Sequence, residues 1–209
     1  MSLMNDPVLK TLEHGVDWIR GSRDHVLATD LLAVAPIPPE SQKLEFFFQS
    51  ATSCPGKWLP SERSKGLEDH QQVVASVTTF DSLGTHKWCF VVDTRSPIAT
   101  RLIDSAEESI MSSMGMEDGQ AAVVMTNTYT IWEYIIWTTK SLGLVLFPGV
   151  QWYIAYLKVD LGRLPKEIAG HKMSLYLHRT RLTIREVLFS VDGTIAGSVG
   201  ARERNHSIK

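Results

Sequence analysis

The stretch TNTYTIWEYIIWTTKSLG, residues 126–143, most constrains the fold, because it is long, aromatic and nearly uncharged. With a period of 3.6 residues, one of its sides carries Ile131, Tyr134, Ile135, Thr138 and Leu142. Its β-branched and aromatic residues favour a strand, which would have two apolar faces interrupted by Glu133. Its length, Lys140 near its end and Gly143 at a C-cap position favour a helix. We predict a central helix that ends at Gly143 and keep the strand as the alternative.

Two other segments carry apolar residues at helical spacing. Residues 7–20, PVLKTLEHGVDWIR, predict a short amphipathic helix that starts after Asp6. Residues 97–114 predict another, with Pro97 in the first turn and Gly115 just beyond the end. Its apolar residues recur at steps of four, at Ile98, Leu102, Ala106 and Ile110.

The remaining apolar runs are short and predict strands. Residues 71–82 and 85–94 predict a hairpin that turns at residues 82–84, and Asp192-Gly193 predicts a second one. Residues 25–40 predict a strand or extended segment, and residues 54–70 a long polar loop. Further single strands are predicted over residues 43–51, 119–127, 150–162, 171–191 and 193–203.

Composition is that of an ordinary globular protein, with 44% hydrophobic and 21% charged residues. The formal net charge of -2 and the dispersed basic residues provide no field that would hold nucleic acid. Residues 1–40 are predicted to form an N-terminal helix and extended segment, and residues 41–209 a single α+β domain. The most apolar window, residues 142–157, falls short of the roughly 20 apolar residues that a membrane span needs.

Cysteine usage and the N-terminal residues indicate a cytoplasmic protein. Cys54 and Cys89 have neither metal-site spacing nor the density of a disulfide scaffold, so two reduced thiols are expected. The first 21 residues show charges within the first ten and no apolar core of a signal peptide. The histidines show no HxxxH spacing, and no glycine-rich phosphate loop follows a strand, so we expect no metal and no cofactor.

Two groups of side chains could carry chemistry. Asp104, Glu107 and Glu108 share the first turns of the helix predicted over 97–114. They form either a solvated helix face or a carboxylate presented beside a ligand as a general base. A cluster of aromatic residues could form the core or line a pocket for a flat or acyl ligand, and its predicted pocket members are Tyr129, Trp132, Trp137, Trp152 and Tyr156.

The order of motifs after residue 118 resembles the hot-dog fold of the acyl-CoA and acyl-ACP thioesterase and dehydratase superfamily. The motif residues, in the order D-G…N-x-Y-x-x-W-E, are Asp118, Gly119, Asn127, Tyr129, Trp132 and Glu133. A predicted helix, a run of strands and a DG turn follow, so the resemblance covers residues 118–204. A histidine that often accompanies the approach to Asn127 in such hydrolases is absent, because residues 121–125 are apolar. The resemblance implies an antiparallel sheet wrapped around a central helix.

A second register of the same resemblance competes with the first. PIATRLIDSAEESI, residues 97–110, resembles the central helix of another thioesterase branch, with WCFVVD as the preceding strand and Asp104 in the carboxylate position. The two helices cannot both be the centre of a single hot-dog domain, whereas a double hot dog would accommodate both.

The resemblance implies hydrolysis of acyl-CoA or acyl-carrier-protein thioesters. A carboxylate, Asp118 or Asp104 with Glu107 beside it, would attack or activate water, and amides near Asn127 or Ala99 would polarise the carbonyl. The acyl chain would lie among the aromatic residues, and the protein would form a homodimer. The phosphates of the carrier would meet Lys172, Arg179 and Arg181.

Two other classes of protein stay open. Residues 43–63 could begin a lipocalin-like β-barrel that binds a hydrophobic or chromophore ligand, and FFQSA, GKW and SER in it resemble the start of the bilin lyases. A structural or interaction protein is the third class, for which ordinary composition and the absence of strong motifs are the argument.

Overall fold

The computed structural model describes residues 15–20, 26–102 and 106–203. The chain divides into two compact units, unit 1 over residues 1–104 and unit 2 over residues 105–209. The sequence-based division into residues 1–40 and 41–209 stays a prediction.

Unit 1 contains a four-stranded antiparallel sheet, a short helix and a parallel pair of three-residue strands. The sheet has the order β3–β5–β4–β2, and β1 pairs with β6. The elements are β1 (Trp18–Arg20), α1 (Ala28–Ala33), β2 (Lys43–Phe48), β3 (Gly56–Pro60), β4 (Gln71–Asp81), β5 (Gly84–Asp93) and β6 (Thr100–Leu102).

The core of unit 1 is centred on Trp58, which is 1% exposed. Its indole Nε1 donates to the carbonyl oxygen of Leu31 in α1 at 3.3 Å, and its ring packs edge-on against Phe90 at 5.3 Å. The helix begins where the Asp30 carboxylate accepts from the backbone N–H of Leu27 at 3.2 Å. The prediction of a strand or extended segment over residues 25–40 is therefore wrong for the residues of α1, where a helical turn places Leu31 in the core beside Trp58.

Unit 2 contains a six-stranded antiparallel sheet and two helices. The strand order is β9–β12–β11–β10–β8–β7. The elements are α2 (Ala106–Ser113), β7 (Gly115–Glu117), β8 (Gln120–Val124), α3 (Ile131–Leu146), β9 (Trp152–Asp160), β10 (Lys172–Arg181), β11 (Ile184–Val191) and β12 (Thr194–Glu203).

The long helix α3 is the centre of unit 2. It packs against β8, β9, β10 and β12, and α2 packs on it. Its apolar surface is too wide for one stripe, so residues on most of its sides are buried, among them Tyr134, Ile135, Trp137 and Leu142. Unit 2 has the hot-dog arrangement that the resemblance implies, and the predicted fold class of an antiparallel sheet around a central helix is confirmed.

A capping box starts α3. The Thr130 hydroxyl accepts from the backbone N–H of Glu133 at 3.2 Å, and the Glu133 carboxylate accepts from the backbone N–H of Thr130 at 2.8 Å. The predicted end at Gly143 is wrong, because the helix continues to Leu146. Gly143 lies inside the last turn, where its carbonyl accepts from the backbone N–H of Phe147 at 2.9 Å.

The second register of the resemblance is wrong about the central helix. Residues 100–102 form strand β6 in place of the predicted helical turn, and α2 begins only at Ala106. In unit 1 the helix that packs on the sheet is α1, and the sequence did not predict a helix in that segment.

Three further boundaries differ from the sequence-based prediction. The strand predicted over 171–191 divides into β10 and β11, because the chain reverses at Leu182, which has φ +50°. The loop predicted over 54–70 contains β3, whose Trp58 carries the core of unit 1. Residues 18–20 of the predicted N-terminal helix form β1, and residues 7–14 of that helix lie outside the described part of the chain.

Both predicted hairpins are confirmed. Asp81 pairs with Gly84 across the β4–β5 turn, and Val191 pairs with Thr194 across the β11–β12 turn. At the second turn Asp192 and Gly193 have φ +48° and +81°, the left-handed conformation that a two-residue hairpin loop requires.

The lipocalin-like barrel is wrong. Strand β7 has β8 on one side, and no described strand pairs with its other edge, so the sheet does not close. Among the described residues, no helix is both long and apolar enough to cross a lipid bilayer.

Candidate functional site

Asn127, a residue predicted on the oxyanion side of the site, lies just before the N-terminal end of α3. Asn127 is exposed in the loop between β8 and α3. Two hydrogen bonds between Tyr134 and Thr126 hold the loop. The Tyr134 hydroxyl accepts from the backbone N–H of Thr126 at 2.9 Å, and it also forms a hydrogen bond of 2.9 Å with the Thr126 hydroxyl. Helix geometry leaves the backbone N–H groups of Ile131 and Trp132 without acceptors in the helix, and their partial positive charge faces this loop. The end of the helix could therefore stabilise negative charge on a bound group.

Asp118 lies at the other end of β8. It occupies the turn between β7 and β8 with φ +48°, followed by Gly119 with φ +75°, and its side chain is exposed. The five residues of β8 span about 17 Å, so they separate Asp118 from Asn127. The structure does not bring these two predicted residues together.

Glu107 forms an ion pair with the central helix. Its carboxylate Oε1 is 2.5 Å from Nζ of Lys140, and Nζ also lies 4.9 Å from the centre of the Trp137 ring. Both charged side chains are largely shielded, with 22% and 30% exposure. Lys140 lies in the third turn of α3, so Glu107 is also distant from Asn127 along the helix. Asp104 lies outside the described residues.

The five predicted pocket aromatics lie in separate places. Tyr129 packs edge-on against Tyr134 at 6.0 Å beside the start of α3, and Trp132 is half-buried in the first turn. Trp137 is core, with 3% exposure. Trp152 faces the last turn of α3, whereas Tyr156 lies on the opposite face of the sheet. One common pocket wall does not form from them.

A narrow cleft lies between the last turns of α3 and the sheet. Its enclosed space is about 10 Å³ for the centre of a water-sized sphere, room for about one water molecule. Its apolar lining includes Leu142, Leu146, Phe147, Leu177, Val187 and Ala201. The rest of the wall is formed by Thr139, Gly143, Trp152 and Arg185.

Arg185 is the one charged side chain in that lining. Its guanidinium carbon lies 5.1 Å from the centre of the Phe147 ring and 5.5 Å from that of Trp152, both within cation–π range. Its Nη1 donates to the carbonyl oxygen of Leu182 at 3.1 Å. The two rings and this carbonyl fix the cation beside the carbonyl end of α3, where positive charge is favourable.

A polar row crosses the sheet on the face that points away from α3. Arg179, Glu186, Gly200 and Tyr156 are direct neighbours on β10, β11, β12 and β9. Glu186 is 9% exposed and accepts from Nε of Arg179, from the Tyr156 hydroxyl and from Ser198. Burial acts to raise the pKa of Glu186, but the bonds from Arg179 and these hydroxyls outweigh it and lower the pKa. Glu186 is thus held as a carboxylate.

Two of the three predicted phosphate-binding residues share this face. Arg179 and Arg181 are exposed, and the register places exposed Arg202 and Lys158 on the same side. Lys172 starts β10, nine residues before Arg181, so about 30 Å separates them. Its backbone N–H donates to Asp192 at 2.9 Å.

Sequence reasoning missed Arg185, Glu186 and Arg202. Arg185 and Glu186 lie in a segment that was predicted as one strand, so the pairing across the turn at Leu182 was hidden, and Arg202 lies in the next predicted strand, whose neighbours the sequence did not reveal. Glu133 carried a usable signal, because Thr130-x-x-Glu133 is a capping-box pattern. Within the described residues, no group of three or more histidine, cysteine or acidic side chains could hold a metal ion.

No family model and no curated protein matches the chain. Among solved structures, it is similar to the tesB protein of Mycobacterium avium subspecies paratuberculosis, at 7% identity and a TM-score of 0.49, over 94% of this chain and 98% of that one. A hot-dog-fold protein of unknown function from Alicyclobacillus acidocaldarius matches at 9% identity and a TM-score of 0.40, over 85% of each chain. The dehydratase domain of the CurF module of curacin polyketide synthase matches at 10% identity and a TM-score of 0.45, over 86% and 84%.

These similarities are too distant to assign an activity, since all three TM-scores lie below 0.5. The chemistry of this chain therefore has to follow from its own residues.

Proposed function

We propose that the chain binds acyl thioesters of coenzyme A or an acyl carrier protein and hydrolyses them. The observation that supports this proposal is the start of α3, a long buried helix whose first-turn N–H groups face an exposed loop with Asn127. A thioester carbonyl placed there would receive hydrogen bonds as negative charge develops on its oxygen. Hydrolysis needs that stabilisation more than any single side chain, because the tetrahedral intermediate is an oxyanion.

Water would be the second reactant. Its oxygen attacks the carbonyl carbon while a carboxylate takes one of its protons, the carbon–sulfur bond breaks, and the carboxylate returns the proton to the departing thiolate, so that a thiol and a free carboxylic acid are the products. Asp118, Asp104 and Glu107 are the proposed carboxylates. A general base has to reach the water that attacks the carbonyl, and Asp118 and Glu107 lie far from Asn127 along β8 and α3, so Asp104 is the first of the three to test.

The rest of the substrate would contact both faces of unit 2. The proposed acyl site comprises the predicted aromatic residues beside α3, with Tyr129 and Trp132 nearest to Asn127 in the chain. The phosphates of the carrier would meet Arg179 and Arg181, where exposed cations share one face of the sheet. We further propose that the protein is a homodimer and that it is located in the cytoplasm. Sedimentation of the purified chain measures the oligomeric state.

Thiol release from acyl-CoA substrates of increasing chain length tests the proposal. We expect Asn127→Ala, which removes a side-chain amide donor from the loop beside these N–H groups, to lower kcat by about a hundredfold to a thousandfold, the range found when one oxyanion donor is removed. Asp118→Asn, Asp104→Asn and Glu107→Gln are compared in parallel, and the general base is the one whose loss removes the acidic limb of the pH profile, where the wild-type rate rises as the base loses its proton. Gln151→Ala, an exposed change beyond the end of α3, is the control.

Two results would overturn the proposal. One is a wild-type chain that releases no thiol above the uncatalysed rate with any acyl length. The other is turnover that is equal in wild type, Asn127→Ala and all three carboxylate variants.

A further inference from the structure

Two shielded N–H donors belong to side chains that line the cleft at the last turns of α3. Nε of Arg185 and Nε1 of Trp152 are both inaccessible to solvent, and neither has a hydrogen-bond acceptor among the described residues. Both side chains line the same cleft, and they come from β11 and β9. Because buried polar atoms are nearly always hydrogen-bonded, the pair indicates a site for an acceptor group.

The charge and shape of the cleft define that acceptor. Arg185 carries a full positive charge and lies within cation–π distance of the rings of Phe147 and Trp152, which are in contact with each other. Two donors suit the two oxygens of a planar carboxylate, which an arginine binds more strongly than it binds a neutral acceptor. The hydroxyl of Thr139, which also lines the cleft, donates to the carbonyl oxygen of Ile135 at 2.7 Å. The rest of the lining is apolar, which suits a hydrocarbon tail and would leave the additional oxygens of a phosphate unpaired.

We infer that this cleft binds the carboxylate of a short-chain carboxylic acid. One oxygen accepts from Nε of Arg185 and the other from Nε1 of Trp152, while the alkyl tail lies against Leu142 and Val187. The cleft has room for about one water molecule, so Leu146 and Phe147, which end α3 and are partly exposed, move outward as the acid enters. Acids of two to four carbons therefore bind better than long ones.

This site goes beyond the proposed hydrolysis and does not depend on it. The start of α3, where a thioester carbonyl would bind, lies about two helical turns from Thr139, the helix residue of the cleft lining that is nearest to it. A free acid is a product of thioester hydrolysis, yet its binding requires no turnover. Binding of acids by a chain that hydrolyses nothing would support the site and overturn only the proposed function.

Nuclear magnetic resonance of the tryptophan indole N–H groups provides the test. The full chain is labelled with ¹⁵N, the Trp152 signal is assigned from Trp152→Phe, and acetate, propionate, butyrate and octanoate are titrated at constant ionic strength. We expect a saturable downfield shift of the Trp152 signal with the short acids, as its N–H acquires a charged acceptor. Ethanol, propanol and butanol, which have matched tails and no charge, should leave it in place.

Substitutions separate the acceptor site from a structural role of Arg185. Arg185→Gln should weaken binding of the short acids about tenfold or more, and Arg185→Lys should weaken it as well, because lysine keeps the charge but lacks the planar fork. Arg202→Gln removes an exposed arginine from the opposite face and should bind like wild type. Unchanged positions of the other indole signals establish that each variant is folded.

The inference is overturned if the Trp152 signal shifts equally with acids and alcohols or fails to saturate with any acid, since a water molecule alone would then satisfy the donors. Equal affinity in wild type and Arg185→Gln would overturn it too.

Discussion

Replacing Gly200 by alanine tests the polar row on the sheet. A Cβ at this position would lie 2.1 Å from Cε1 and 2.4 Å from Cδ1 of Tyr156, because the tyrosine ring crosses the strand where glycine leaves space. Contacts this short cannot persist, so the ring must move. When it moves, its hydroxyl leaves Glu186, which is 9% exposed and depends on three donors.

The size of the effect follows from two terms. Displacing a packed ring costs about 1–3 kcal/mol. Losing a hydrogen bond to the Glu186 carboxylate costs about 1.5–3 kcal/mol, and a small shift of the carboxylate and of its other two donors returns part of this. We therefore expect Gly200→Ala to lower the free energy of unfolding by about 2–4 kcal/mol.

Urea denaturation followed by tryptophan fluorescence measures this change. Gly66→Ala is the matched control, because a Cβ there meets no atom within 4 Å, and it should change the unfolding free energy by less than about 0.5 kcal/mol. In a Tyr156→Ala background, Gly200→Ala should be nearly neutral, since the ring that it displaces is gone. An equal cost of Gly200→Ala in both backgrounds would refute the role of Tyr156.

Two further predictions concern a helix cap and a surface ion pair. Thr130→Ala should lower the unfolding free energy by about 1 kcal/mol, because the backbone N–H of Glu133 loses its acceptor, and thermal denaturation measures the shift. Arg95 bonds Asp93 and holds its pKa at about 2, below the usual 3.8. A carboxyl whose pKa is lowered in the folded state contributes stability above pH 3.8, and this stability is lost as the pH falls towards 2. The urea midpoints of Arg95→Gln and wild type should therefore converge as the pH is lowered through this range. A difference between the midpoints that stays constant over the range would contradict the prediction.

The sequence predicted elements whose signals are local. The hairpin turns at residues 82–84 and at Asp192-Gly193 are set by glycine and by backbone conformations that few other residues adopt. Helix α3 was indicated by the spacing of its apolar residues and by its length. The sequence did not predict that α3 ends at Leu146. The helix extends past Gly143 because its last turn is stabilised by tertiary contacts, including the contact of Gly143 with Trp152.

Other elements lacked such a signal. Helix α1 is only six residues long, so its own sequence stabilises the helical conformation weakly. Its burial against Trp58 contributes more to that stability. The split of residues 171–191 depends on Leu182, an exposed apolar residue with positive φ that no composition rule marks as a turn.

The candidate sites divide in the same way. Asn127 and the carboxylates were found from residue type and order, yet only the structure shows that β8 separates Asp118 from Asn127. The convergence of Arg185 with Trp152 needs two strands that are distant in the chain, and so does the contact of Tyr156 with Glu186 across Gly200. Local periodicity and turn chemistry are properties of neighbouring residues, so the sequence by itself determines them. Which side chains meet across the sheet depends on strand register and pairing order, and only the tertiary structure decides those.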